Sequence, residues 1–371
     1  MYLMYKDTKL IYFDFDESVI EVLNNDRLPY YLRDAFKSNS SVKNIVYNIQ
    51  RLKDYLSSRV LSLSKDNAKK IFALFSIPQV DTIENRVQTC IKCKGISIQD
   101  SFWIKYDNES KKWADVNIRK HKLREIVDIS LNGEEPSITV NPICPELTNK
   151  GLFRKAWIRD YDTKDLYLIK SDRNSDFVNT KMEVLASEIL ECTNYDNFVK
   201  YTGRYRNTKS GKIYVDKCRS FIEDETLYFT EAWEVKDYCE RHGQDFEKYV
   251  LNKFGSKFAD IPVIDFILIN TDRHTQNYGF MCNSTGIVKL APLFDFNLSL
   301  VADYFDKFAE DTLSQTFNKR ESIANTALRY VSYSDLKLDM DKLNKLSKKR
   351  KEYKFIIDNI INRYNKIMQY K

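Results

Sequence analysis

NTDRHTQNYGF, residues 270–280, follows directly on the apolar run IPVIDFILI, residues 261–269. A run apolar on most faces reads as a buried helix. A turn crowded with polar chemistry right after it asks for a reason. Asp272 and Asn277 stand with four residues between them. Phosphoryl transfer uses that D-x4-N spacing: the carboxylate orients the attacking hydroxyl and accepts its proton, and the amide oxygen reaches back from the same loop to a Mg²⁺ on the phosphates. The plainer reading is a helix-ending turn whose Asp and Asn cap local backbone.

The residues that follow favour the chemical reading. YGFMC (278–282) and IVKLAP (287–292) are strand-like, and the NSTG between them suits a hairpin turn. LFDFN (293–297) comes next and carries Asp295. Protein kinases place a second metal-binding Asp after their catalytic loop, across a short hairpin, in a D-F-G motif. Here Asn297 stands at the Gly position, which weakens any activation switch but leaves the carboxylate as a ligand. His274 is read as a loop-ordering residue, because Asp272 already supplies the proton acceptor.

Upstream, LFRKAWIRD (152–160) and DLYLIKSD (165–172) read as a hairpin joined by YDTK. Lys170 closes its second strand, and Gly151 sits in the turn before its first, with Lys155 four residues on. A strand lysine and a loop with free N–H groups are what a triphosphate needs. TKMEVLASEILE (180–191) is helical, with Thr180 expected as N-cap and Glu183 closing a capping box. Glu183 is also the expected partner of Lys170, with Glu188 as rival. KIYVDKCRSFI (212–222) returns to strand. Its KCRSF carries Cys218 and Phe221, for which core packing is the plain reading.

Elsewhere the chain is ordinary for a folded protein. It has 371 residues, 43% of them apolar and 30% charged, which argues against disorder. A net charge of +6 does not demand nucleic acid. Trp103 and Trp113 are assigned to a core rather than to a stacking surface, and direct nucleic-acid binding is not expected. Seven scattered cysteines, with Cys90 and Cys93 as a single CxxC and three histidines, do not make a zinc pattern. The N-terminus lacks a signal-peptide core and no run is long enough for a membrane span, so a cytoplasmic protein is expected. KLIYFDF (9–15) reads as strand. Helices are expected from Val42, with Ile45, Val46, Ile49, Leu52 and Leu56 on one face; over 64–75 with Ser64 as cap; and over 121–133, ending at Gly133. Others are expected from Asp260, as N-cap with Pro262 in the first turn, over 245–254, and over 354–371.

TDRHTQNYGF with LAPLFDFNLSL resembles the signature of HipA-like serine/threonine kinases, bacterial enzymes of toxin–antitoxin modules. LTNKGLFRKAW sits where that family has its phosphate loop, and VLNNDRLPYYLR is loosely similar to its N-terminal region. The resemblance implies an α+β, two-lobed, protein-kinase-like fold. It implies an N-terminal subdomain (1–135), an ATP-binding N-lobe (136–222) and a helical C-lobe (223–371). It implies ATP and Mg²⁺, a protein substrate bearing Ser or Thr, and an antitoxin partner. By position, Asp272 matches the catalytic Asp, Asn277 and Asp295 the metal ligands, Lys170 the strand lysine, and Gly151 and Lys155 the loop, and KCRSF with Cys218 and Phe221 falls where the family's hinge would meet adenine. The family autophosphorylates a loop serine, where Thr148 stands here; Ser137, Thr208 and Ser210 are rival sites. A small-molecule phosphotransferase and a pseudokinase that only binds partners are the alternatives. Neither Asp272 nor Asp295 is expected to hold the fold together.

Overall fold

The structure, a computed structural model, describes residues 1–371 apart from 121–126, 135–144, 152, 161, 173, 210, 223–224, 308 and 318–319. Strands β1 (Tyr2–Tyr5), β2 (Thr8–Asp14) and β3 (Val19–Val22) form the start of the chain. With β4 (Phe102–Lys105) they make an antiparallel sheet ordered β3-β2-β1-β4. Helix α1 (Val42–Ser58) follows, its first turn capped by Ser41, whose hydroxyl accepts from the Asn44 N–H at 3.2 Å. Leu52, Tyr55 and Leu56 bury its stripe, but Val46, expected on that face, is exposed. Next come α2 (Ala68–Leu74), α3 (Ile83–Lys92), α4 (Trp113–Val116) and α5 (Val127–Asn132). Ser64 does not cap α2, which starts from a left-handed Asn67; the Ser64 hydroxyl pairs with Ser62 at 2.7 Å. Gly133 does end α5, at φ 73°. The first part of that expected helix, the segment 136–144 with Ser137, and Ser210 lie outside the described residues.

The hairpin read from 152–172 is β5 (Arg154–Arg159) and β6 (Leu166–Ser171). Helix α6 (Val178–Leu190) crosses over, and β7 (Tyr201–Thr208) and β8 (Gly211–Arg219) complete an antiparallel sheet ordered β5-β6-β8-β7. Thr180 is not the N-cap of α6. The helix starts two residues earlier, after a left-handed Phe177. Asp172, just past β6, reaches across to accept from the Thr180 N–H at 3.2 Å. A distant carboxylate thus supplies the cap, and Glu183 is free for another use.

The rest is mainly helical. Strand β9 (Tyr228–Glu231) leads into α7 (Ala232–Arg241), α8 (Phe246–Phe254) and α9 (Ser256–Ile267). Then come the hairpin β10 (Gly279–Asn283) and β11 (Gly286–Leu290), α10 (Val301–Tyr304), α11 (Ile323–Tyr330), α12 (Met340–Lys349) and α13 (Lys354–Met368). Strand β10 pairs with both β9 and β11. Helix α9 begins after Gly255, one turn before the expected start, so Pro262 lies inside it. Asp260 is buried and caps elsewhere, accepting from the Ser334 hydroxyl and from the Asp335 and Leu336 N–H groups.

One core runs from Leu3 through Leu185 and Phe266 to Ile367. The N-terminal sheet and α1 pack onto β9 and α7: Tyr5 meets Tyr228 edge-on at 5.9 Å, and Arg51 pairs with Asp237. Trp103 and Trp113 are buried in a second cluster, so neither ring offers a stacking face. The fold class is the α+β class expected, with antiparallel sheets throughout the described residues. Among those residues no helix is long and apolar enough to cross a membrane.

Candidate active site

Lys170 and Lys155 face each other across β6 and β5. Lys170 is buried and reaches Glu183 of α6, its Nζ donating to Oε1 at 2.7 Å and Oε2 at 3.0 Å. It also donates to Asp295 Oδ1 at 2.8 Å. Glu183 is wholly buried and accepts as well from the Phe296 N–H at 3.0 Å, which ties α6 to the segment after β11. Glu188, the rival, lies elsewhere and pairs with Arg350 at 2.8 Å and Lys349 at 3.2 Å. Asp295 sits at φ 61°, a left-handed conformation that Asp tolerates better than most residues. Its N–H donates to the Tyr201 hydroxyl at 3.2 Å.

The Asp272 turn is wound around a residue not singled out from the sequence. Arg273 is buried, its Nε donating to both oxygens of Asp265 on α9 at 3.2 and 3.1 Å. Its Nη1 donates to the Asn277 carbonyl at 2.7 Å and the Phe294 carbonyl at 2.5 Å. One guanidinium therefore links helix, turn and the Asp295 segment. Within the turn, the Asn277 amide donates to the Asp272 carbonyl at 2.7 Å, which leaves its oxygen end for a ligand. The signal was legible: an acid, Asp265, inside the apolar run 261–269 implies a buried partner.

The loop around Gly151 is braced by the N-terminal segment. Lys65 Nζ donates to the Asn149 carbonyl at 2.8 Å, and the Leu61 N–H to the Leu147 carbonyl at 2.9 Å. The Thr148 hydroxyl is buried and donates to the Ile96 carbonyl at 2.8 Å. Lys150 reaches Glu231 at the end of β9, at 3.0 Å. Gly151 has φ 89°, a conformation that strains any residue with a side chain, and a Cβ there would lie 2.5 Å from Lys155 Nζ and push that side chain aside.

These groups line one cleft of about 910 Å³. Thr148, Gly151, Lys155, Lys170, Cys218, Phe221, Asp272, Asn277 and Asp295 all face it, and Glu183 stands behind Lys170. Phe221 stacks on Phe294 at 5.6 Å, making an apolar wall with Leu168 and Val199 that suits a flat ring. Cys218 is buried at the same end, and burial pushes its thiol up.

The cleft's charges differ from one end to the other. Burial alone would raise the Asp295 carboxyl, but Lys170 and then Lys155 outweigh it and hold it well below the usual range. Asp272 moves the opposite way: burial, helped by the charge of Asp295, raises it against the pull of His274. Burial lowers Lys155 despite the attraction of Asp295. A Mg²⁺ held mainly by phosphates takes one or two protein ligands rather than a protein cage. Asp295 and the Asn277 amide oxygen fit that need, and no set of three or more His, Cys, Asp or Glu side chains forms a cage among the described residues.

No family model and no curated protein matches this chain. Among solved structures, it is similar to the Helicobacter pylori proinflammatory kinase CtkA at 16% identity and a TM-score of 0.44, over 60% of this chain and 91% of that one.

Proposed function

We propose that the chain is an ATP- and Mg²⁺-dependent phosphotransferase, a serine/threonine protein kinase of HipA-like type. One observation carries this reading: Lys170, tied to Glu183 and Asp295, shares a single cleft with Asn277 and Asp272. A binding module that does no chemistry has no use for such an alignment. The Phe221–Phe294 wall would take the adenine, and the Gly151 loop with Lys155 and Lys170 the phosphates. Asn277 and Asp295 would hold Mg²⁺, which supplies neutralisation of phosphate charge. Asp272, raised toward a useful basicity, would orient the hydroxyl and take its proton. The protein's part is then chiefly positioning and electrostatics.

Arg86, Lys150 and His274 as well as Glu231 also line the cleft. That mixture does not make the acidic pocket that a cationic small molecule would want, which favours a protein acceptor; its cytoplasmic location belongs to the same proposal. Thr148 is the proposed site of self-modification. A phosphate cannot fit where its buried hydroxyl now donates to Ile96, so modification would expel the loop and switch the enzyme off. An antitoxin partner belongs to the same proposal.

Incubation with γ-labelled ATP and Mg²⁺, alone and with a cell lysate, tests the reading. Label transferred to Ser or Thr of protein, the chain's own Thr148 included, is the expected result. Absence of transfer together with a melting temperature unmoved by saturating Mg-ATP would defeat it. At a nucleotide concentration a hundredfold above Kd, linkage amounts to about 2.7 kcal/mol.

A further inference from the structure

Asp216 is an acid the proposed chemistry does not use. It lies on β8 directly opposite Lys170 of β6, so both side chains project from the same face of the sheet, the face on which α6 packs. It is wholly buried, and among the described residues neither carboxyl oxygen receives a hydrogen bond. Its close polar neighbour is another carboxyl, that of Glu183.

Lys170 attracts it through space but gives it no hydrogen bond. An ammonium has three N–H donors, and Lys170 places them on Glu183 Oε1, Glu183 Oε2 and Asp295 Oδ1. Two buried carboxyls in contact cannot both ionise; they share a proton. Which one carries it follows from the donors around each. Glu183 accepts from Lys170 and from the Phe296 N–H, so it is the anion. Asp216 has no such donors, so it is the acid.

We propose that Asp216 is a positioning residue that acts as a neutral carboxylic acid, its O–H donating to Glu183 and holding that carboxylate against Lys170. The proposal rests on the phosphotransferase reading for its consequence: the Lys170 ammonium faces the nucleotide only while Glu183 stays in place. Burial first, and then the charge of Glu183, keep the Asp216 proton on to well above the usual carboxylate range. The charged and titratable groups around it are Lys170 and Asp172 from the β6 side, Glu183 from α6, and Tyr214 and Cys218 on β8 itself; β7 presents Gly203 opposite. When pH rises far enough to ionise Asp216, two like charges meet, Glu183 is pushed off and the clamp on Lys170 opens. Asp172, pushed up to about 6, titrates too, but it remains in any Asp216 variant, so comparison of variants isolates Asp216.

The test compares Asp216→Asn with Asp216→Leu in the full chain. The Asn amide donates to Glu183 at every pH; Leu fills the space and donates nothing. Mg-ATP affinity and transfer in Asp216→Asn should stay within about threefold of wild type at neutral pH, whereas Asp216→Leu should lose about tenfold or more in affinity, as expected for a lost hydrogen bond to a buried charge. Wild type should weaken at alkaline pH, and Asp216→Asn should not. The infrared spectrum of wild type minus that of Asp216→Asn at neutral pH should show the carbonyl stretch of one protonated carboxylic acid; Glu234, pushed up to about 8 by burial, is common to both and cancels. Asp216→Asn as impaired as Asp216→Leu, an unchanged alkaline limb in Asp216→Asn, or no such band in that difference would each overturn the proposal. Wild type that binds no Mg-ATP yet shows the band would defeat the phosphotransferase reading, and the positioning role with it, while leaving the shared proton in place.

Discussion

The two acids of the cleft, Asp295 and Asp272, are chemically the same and sit in opposite settings. Asp295 is held by a lysine that is itself held by Glu183, and its carboxyl is driven below the ordinary range. Asp272 stands at the rim on a turn organised by its neighbours rather than by itself, and its carboxyl is raised. The difference separates two jobs. An acid that must remain an anion beside phosphate and metal is surrounded by cations. An acid that must take up a proton is buried beside a like charge, and that outweighs the pull of the cations near it.

That contrast bears on the expectation that neither carboxylate holds the fold, because Asp295 is ion-paired with the buried Lys170. The largest effect should therefore come from the Lys170 end. Lys170→Met leaves Glu183 and Asp295 buried without their cation, and breaking such a pair costs about 3–5 kcal/mol. Thermal or denaturant melts should show that loss without any nucleotide, and transfer should vanish. A Lys170→Met protein as stable as wild type would mean that the pair is not part of the core.

At the rim the prediction is reversed. Asp272→Asn should melt as wild type does, yet transfer about a hundredfold more slowly, equivalent to about 2.7 kcal/mol of barrier. Rates and melts on the same preparation check it. Equal losses of stability in both variants would erase the distinction and favour a capping turn.

The contrast also fixes a pH order. The depressed Asp295 contributes stability that is present above the ordinary aspartate value of about 4 and is lost as pH falls below it, through the folded-state value. Asp272 must be ionised to accept a proton, so the acid limb of transfer should lie above about pH 4, where the fold is still intact. A rate profile and a melt series across the same buffers test this. Activity and stability falling together at one pH would contradict it. The smallest effect belongs to Glu188→Gln. Its partners Arg350 and Lys349 lie outside the cleft, so the change should cost at most about 1 kcal/mol and leave ATP affinity alone.

Much of this site was legible because its residues obey local rules. The hairpin of β5 and β6, the apolar α9 and the D-x4-N turn each show in their own few residues, and Lys170 and Glu183 meet as read. The rest depended on contacts between distant segments. Capping was misread at Ser64, Thr180 and Asp260, since a cap-forming residue looks the same whether its partner is local or far away. The Thr180 N–H finds Asp172 across a loop, and Asp260 caps residues 334–336, more than 70 positions on. The brace on the Gly151 loop from Lys65 and Leu61 has no local pattern either, as it depends on how the N-terminal segment packs. Asp216 sat unremarked inside a strand, and only burial beside Glu183 gives it meaning.

Calorimetric titration of Mg-ATP into wild type, Asp272→Asn and Asp295→Asn tests the division of labour most directly. Wild type and Asp272→Asn should bind with the same Kd, because Asp272 acts on the acceptor. Asp295→Asn should bind more weakly and lose its dependence on Mg²⁺. An Asp272→Asn protein weakened as much as Asp295→Asn, or a wild type with no Mg²⁺-dependent binding of ATP, would contradict the account.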